Sequence, residues 1–196
     1  MSTQTIIIRY TSEASLSLVD ASANQPIYHV KVNRQAPQME MIRLANPNEE
    51  PYSSFPEDEA AFFESRVCAA HFKITSLDVK LCIREQRDIE LKRKGLLSTS
   101  YLFTSPSLSS RERSPTVLVW ETDSANNAVG NFKLSVQDRS DVLVRFRNEA
   151  FSNERVGTFE VESGVDQLVK DEIVISGLAM LAMNQSFRLA SMVMFG

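Results

Sequence analysis

The stretch Asp171-Glu172-Ile173-Val174-Ile175-Ser176-Gly177-Leu178-Ala179-Met180-Leu181-Ala182-Met183 decides the fold. After Asp171-Glu172 the only charged residue before the end at Gly196 is Arg188. A helix that is apolar on all sides must sit inside either a bilayer or a protein that surrounds it. A membrane span needs about 20 apolar residues, and Ser176, Gly177, Asn184, Gln185, Ser186 and Arg188 interrupt this one. Gly177, Ala179 and Ala182 permit close approach, while Met180 and Met183 fill irregular gaps. The reading is a helix enclosed by protein, with Ile173, Val174, Leu178, Leu181 and Met183 in the core and no transmembrane span. Val165 to Asp171 supplies an amphipathic entry whose acidic residues suit the first turns of a helix.

Everything upstream reads as strands. Short β-rich runs recur between turn-forming clusters: Thr5 to Tyr10, Ser15 to Asp20, Pro26 to Val32, Gln38 to Leu44, Ser98 to Thr104, Thr116 to Glu121, Val129 to Gln137, Asp141 to Arg147 and Arg155 to Val161. Period-2 alternation is clearest in Ile27-Tyr28-His29-Val30-Lys31-Val32 and in Val142-Leu143-Val144-Arg145-Phe146-Arg147, as half-buried strands require. Phe62 to Lys73 and Leu77 to Ile83 form a further hairpin that turns near Thr75. If that turn is symmetric, Val67, Ala69 and His71 share a face with Ile83, Leu81 and Val79, and Cys68 faces Cys82. Such a register leaves a redox pair geometrically open. In a reducing compartment the expectation is two free strand thiols.

These runs are too many for one open sheet, and closing them into a barrel removes the exposed edges. The fold expected is mainly β, a closed antiparallel barrel enclosing the C-terminal hydrophobic helix, and one domain over residues 1–196. At 196 residues, with 43% hydrophobic and 23% charged residues, the chain can enclose one substantial core. Two stretches leave the strand pattern, and exposed loops are expected at both. Residues 45–60 hold Pro47, Pro51, Pro56 and the acidic Glu57-Asp58-Glu59. Residues 104–115 hold two Ser-Pro pairs, with Arg111 three positions before Ser114 in the pattern of a kinase target.

Catalytic and metal constellations are missing from the sequence. His29 and His71 are the only histidines, each in a predicted strand and outside any ligand spacing. Two cysteines cannot build a four-thiolate zinc site. Six glycines form neither a nucleophile elbow nor a phosphate-cradling loop. The expectation is a non-enzyme without cofactor or metal. A net charge of -4 supplies no global attraction to nucleic acid or anionic lipid, so any such binding needs a local basic patch, and no nucleic-acid partner is expected. The N-terminus lacks the basic and apolar regions of a secretory signal, which places the protein in the cytoplasm.

The succession Val142-Leu143-Val144-Arg145-Phe146, then Val156-Gly157-Thr158-Phe159-Glu160-Val161, then Leu168 and Asp171 through Leu181 resembles the end of the tubby C-terminal-like domains, especially small fungal ones. Ile27-Tyr28-His29-Val30, the Cys68 strand and Leu118-Val119-Trp120 are similar to that family's earlier strands. The resemblance covers most of the chain and implies a closed barrel of about twelve strands threaded by a hydrophobic helix. Its superfamily also includes phospholipid scramblases and related plant proteins, and it implies binding of phosphoinositide headgroups by Lys and Arg on the barrel exterior. The basic run here is Lys92-Arg93-Lys94, preceded by Arg84 and Arg87, with Lys133, Arg145 and Arg147 as strand candidates; Glu85, Asp88 and Glu90 dilute it. Each basic residue near an anionic surface contributes roughly 1 kcal/mol. The function expected is a cytoplasmic barrel that binds anionic membrane lipid peripherally through this patch. The alternative is a protein-interaction or structural module acting on a protein partner through its two loops.

Overall fold

The computed structural model describes residues 3–11, 15–44, 65–73, 76–84, 87–95, 98–112, 114–123, 130–149 and 152–184. Twelve strands follow one another as β1 (Thr3–Tyr10), β2 (Ser15–Asp20), β3 (Gln25–Val32), β4 (Met39–Arg43), β5 (Ser65–Lys73), β6 (Asp78–Ile83), β7 (Arg87–Arg93), β8 (Tyr101–Ser105), β9 (Thr116–Thr122), β10 (Phe132–Val136), β11 (Val142–Asn148) and β12 (Arg155–Glu162). A short helix α1 (Pro106–Glu112) joins β8 to β9, and α2 (Gln167–Asn184) follows β12. Each strand pairs antiparallel with its neighbours in sequence, and β1 pairs with β12 to close the barrel.

An up-and-down barrel sorts its connections between two ends. The turns after the odd-numbered strands lie at one end; those after the even-numbered strands lie at the other, where α2 begins. Here these are named the exit end and the entry end, because α2 finishes at the first, with the Asn184 amide donating to the Thr99 carbonyl at 2.7 Å.

Alternation sets the core. Inward residues such as Ile6, Ile8, Leu16, Leu18, Val30, Met41, Leu81, Leu91, Phe103, Trp120, Phe146 and Phe159 are buried. The outer wall carries Lys31, Glu40, Lys80, Glu90 and Lys133 among its side chains, the reverse of the apolar band of a lipid-embedded barrel. Every α2 residue from Asp171 to Ala182 is buried, so the helix is surrounded. Of the expected core positions, Ile173, Val174, Leu178 and Leu181 lie fully inside, while Met183, one turn from the exit end, is only partly covered. No helix among the described residues is long and apolar enough to cross a membrane.

Two glycines are required by close approach. A Cβ on Gly177 would stand 2.7 Å from the Phe159 ring and 3.0 Å from the Trp120 indole, so a side chain there would push α2 off the wall. A Cβ on Gly157 would meet the Arg147 carbonyl at 2.2 Å and the Phe146 ring at 2.6 Å. Phe146 and Phe159 pack with ring centroids 5.4 Å apart, a tilted arrangement favoured by the ring quadrupoles.

Four expectations are corrected. The β5–β6 register sets Cys68 opposite Ile83 and Ala69 opposite Cys82, one residue away from the symmetric turn. That slip sends Cys68 inward and leaves Cys82 on the outer face, so the two free thiols lie on opposite sides of the wall. The cause is a longer turn between Lys73 and Asp78, with Leu77 at φ 59° donating its N–H to the Lys73 carbonyl.

Residues 104–115 are also not a simple loop. Ser105 is buried and caps α1, accepting the Leu108 N–H at 3.1 Å, and Pro106 occupies the first helical position. Ser114 and Pro115, beyond α1, are exposed.

The start of α2 differs as well. Of the acidic residues expected to suit its first turns, Asp166 does so as the N-cap, accepting the Leu168 N–H at 2.8 Å, whereas Asp171 and Glu172 bind the wall instead. Finally, β7 is a strand that the charged run concealed. Ile89 and Leu91 point inward between outward Asp88, Glu90 and Lys92. The stretch 45–60 lies outside the described residues.

Candidate functional site

At the entry end, two buried carboxylates fasten the helix to the barrel. Asp171 accepts hydrogen bonds from the Tyr28 hydroxyl at 2.9 Å, the Arg84 guanidinium at 3.0 Å, the Gln167 amide at 3.3 Å and the Arg43 guanidinium. Burial, reinforced by the Asp171 charge, pushes the Tyr28 hydroxyl well above its usual range, so it stays a donor. Cys68 is likewise pushed up, first by burial and then by Asp171, which makes it an inert core thiol. Glu172 accepts from the Ser105 and Ser107 hydroxyls, each at 2.5 Å, and from the Ser107 N–H at 3.1 Å. One turn deeper, the Trp120 indole donates to the Ser176 hydroxyl at 3.0 Å, and that hydroxyl donates to the Ile173 carbonyl at 3.0 Å. Helix position is thereby specified by charge and hydrogen bonds at one end and by shape in the middle.

This cluster explains the fate of Arg84. Although its side chain is 43% exposed, it is turned onto Asp171 and serves the fold. The other predicted basic residues do not form one patch. Arg87, Lys92 and Arg93 belong to β7, with Lys94 just after it, whereas Arg145 and Arg147 belong to β11, and β8, β9 and β10 intervene. Arg145 is committed to the buried Asp123 at 2.7 Å, Arg147 faces Glu160 at 3.4 Å and Lys133 faces Glu121 at 3.1 Å.

On the β5–β7 face, opposite charges alternate. Glu90 is shared by Lys92 at 3.1 Å and Lys73 at 3.4 Å, which hold its carboxyl below the usual range in that order. Asp88 pairs with Lys80 at 2.8 Å. Arg93 donates to the Ser98 carbonyl at 2.5 Å, and Lys94 has no ion-pair partner among the described residues.

Topology nevertheless concentrates charge. Described cations of the exit half are Arg9, Lys31, Arg34, Lys73, Lys80, Lys92, Arg93, Lys94, Lys133, Arg147 and Arg155; they outnumber Glu40, Asp78, Glu90, Glu121, Asp123, Glu149 and Glu154. In the entry half the balance among the described side chains reverses: Asp20, Asp88, Asp138, Asp141, Glu162, Asp166, Asp171 and Glu172 outnumber Arg43, Arg66, Arg84, Arg139 and Lys170. The barrel is electrically polar along its axis. Hairpin sequence order alone contains this signal, because alternate turns share an end, but it becomes readable only once the barrel is known to be up-and-down.

His29 and His71 stand half-buried on β3 and β5. Among the described residues no group of three or more His, Cys, Asp or Glu could hold a metal ion. A groove of about 720 Å³ opens on the outer wall between β7 and β8, beside α1. Compared with protein-family models, with curated proteins and with solved structures, the chain matches none.

Proposed function

We propose that this barrel is a non-enzymatic module that docks on anionic membrane lipid through its exit end. The observation that carries this reading is the axial charge polarity: with a net charge of -4 the whole molecule is weakly repelled by an anionic surface, yet its exit half carries an excess of cations. Orientation then follows from electrostatics, since the acidic entry end turns away from the surface. The sequence resemblance to tubby-like domains supports the same ligand class, phosphoinositide headgroups, at a different place from the β7 and β11 walls. Arg34, in the β3–β4 turn, and Lys94, in the β7–β8 turn, are the cations best suited to touch lipid, because neither is engaged in an ion pair among the described residues.

Co-sedimentation with vesicles of phosphatidylcholine, with and without a phosphoinositide, tests the reading. The protein is expected to pellet with the anionic vesicles at low salt and to be released as the screening length falls to about 8 Å near physiological strength. The double variant Arg34→Glu, Lys94→Glu is expected to lose binding while Arg84→Glu, at the opposite end, is not tested for binding because it disturbs the fold; Arg139→Glu at the entry end supplies the matched control. Equal retention of the double variant, or no retention of the native chain, overturns the proposal.

A further inference from the structure

Of the seven prolines only Pro106 and Pro115 follow a serine or threonine, and both pairs lie in the connection from β8 to β9. The fold treats the two serines oppositely. Ser105 ends β8 and is fully buried; its hydroxyl donates to Glu172 at 2.5 Å and accepts the Leu108 N–H at 3.1 Å. The serines between the two pairs whose side chains are described are engaged in the same way. Ser107 donates to Glu172 at 2.5 Å, and Ser109 donates to the Ser105 carbonyl at 2.5 Å and accepts the Thr116 N–H at 2.9 Å. Ser114 differs. It is exposed, lies between the end of α1 at Glu112 and the start of β9 at Thr116, and its hydroxyl has no hydrogen-bond partner among the described residues. Its carbonyl accepts from the Thr116 hydroxyl at 3.4 Å, and Pro115, itself exposed, biases the serine before it toward extended backbone. The segment therefore presents an idle hydroxyl on an extended backbone, directly before an accessible proline.

We propose that Ser114 is a phosphorylation site for a kinase that accepts proline directly after its target serine, and that Ser105 is closed to the same enzyme in the folded chain. The Ser114 Oγ attacks the γ-phosphorus of ATP held by the kinase. An Oγ–P bond forms, the bond from that phosphorus to the β,γ-bridging oxygen breaks, ADP leaves with the electron pair, and the hydroxyl proton passes to the catalytic aspartate of the kinase. Because the Ser114 hydroxyl holds nothing in place, the phosphoryl group displaces no hydrogen bond of the described fold. It adds about −1.5 to −2 charges at pH 7. That charge falls at the entry end, where the connection from β8 to β9 lies, and so enlarges the axial charge separation from its acidic side. The site stands independently of the lipid reading.

The test incubates the full chain with ATP and a recombinant proline-directed kinase of the mitogen-activated class, and follows each serine by peptide mass spectrometry. A synthetic peptide of residues 100–120, which has no barrel to bury Ser105, is the unfolded reference. The peptide is expected to be labelled at both serines. The folded chain is expected to be labelled at Ser114, with Ser105 slower by at least about tenfold because its exposure waits on local opening of the Glu172 contacts. Ser114→Ala is expected to remove that labelling and to leave the melting temperature unchanged, as phosphorylation itself is. A peptide labelled at Ser114 beside a folded chain that is not labelled there would show the site closed and overturn the proposal. Equal rates at Ser105 and Ser114 in the folded chain, no labelling of Ser114 in either form, or a lowered melting temperature of Ser114→Ala would overturn it as well.

Discussion

At the entry end Asp171 is fully buried and surrounded by donors from Tyr28, Arg43, Arg84 and Gln167, whereas at the exit end Arg34 and Lys94 hold charges that no carboxylate among the described residues neutralises. The first arrangement removes charge from solvent and must satisfy it completely, because an uncompensated buried carboxylate costs several kcal/mol. The second leaves charge hydrated, where it contributes little to stability and is available to a ligand. Identical residue types thus serve the fold at one end and stay exposed for the proposed recognition at the other, according to what burial leaves unpaired.

The harshest way to break the comparison is to remove the helix that the entry end holds. A chain ending at Glu172 loses Ile173 through Leu181 from the barrel centre and is expected to be insoluble or molten, binding a hydrophobic dye without a cooperative melt. A soluble truncation that melts cooperatively would contradict an enclosed helix.

Replacing one charge at each end separates the two uses directly. Asp171→Ala is expected to destabilise by about 3 kcal/mol in urea titration, at the lower end for a broken buried pair because Arg43 and Arg84 retain some solvent. Lys94→Glu is expected to change stability by less than about 0.5 kcal/mol. Equal effects would erase the distinction.

Gly177 tests shape rather than charge. Alanine gains up to about 1 kcal/mol in helix propensity over glycine, but overpacking of a filled core costs typically about 1–3 kcal/mol. The Phe159 and Trp120 rings that its methyl would meet are themselves fully buried, so Gly177→Ala is expected to destabilise on balance. An unchanged melting temperature would show that the rings yield.

The smallest effect is at the β2–β3 turn. Burial opposes ionisation of Asp20, yet hydrogen bonds from Ser22, Gln4 and the Ala23 N–H outweigh it and lower its pKa from 3.8 to about 2. A folded pKa below the unfolded one stabilises the native state above pH 3.8, and this contribution fades as pH falls toward 2. Asp20→Asn should therefore cost slightly at pH 7 and less at pH 2, measured by urea titration at both values. A cost that grows on acidification would reverse the assignment.

Much of this architecture is local in origin. Alternation marked most strands to within a few residues, since burying one face of a strand constrains every second side chain. The charge-poor run from Ile173 to Ala182 had to be a helix hidden from water, in a bilayer or in protein, because so little of its circumference tolerates water, and its polar interruptions favoured protein. Strand β7 escaped this reading: Ile89 and Leu91 carried the alternation, but basic and acidic neighbours gave the segment the composition of a solvated patch. The Ser105-Pro106 pair signalled a helix start and was masked in the same way by the serines and proline that follow.

What lay beyond local pattern was partnership. The register that separates Cys68 from Cys82 depends on the length of one turn, and a one-residue change inverts every face. Whether Arg84 meets solvent or Asp171 depends on residues 87 positions apart in the chain. Burial and pairing are properties of distances across the closed barrel, so a sequence can supply the charges while only the assembled wall decides which are committed to the fold and which stay in solvent.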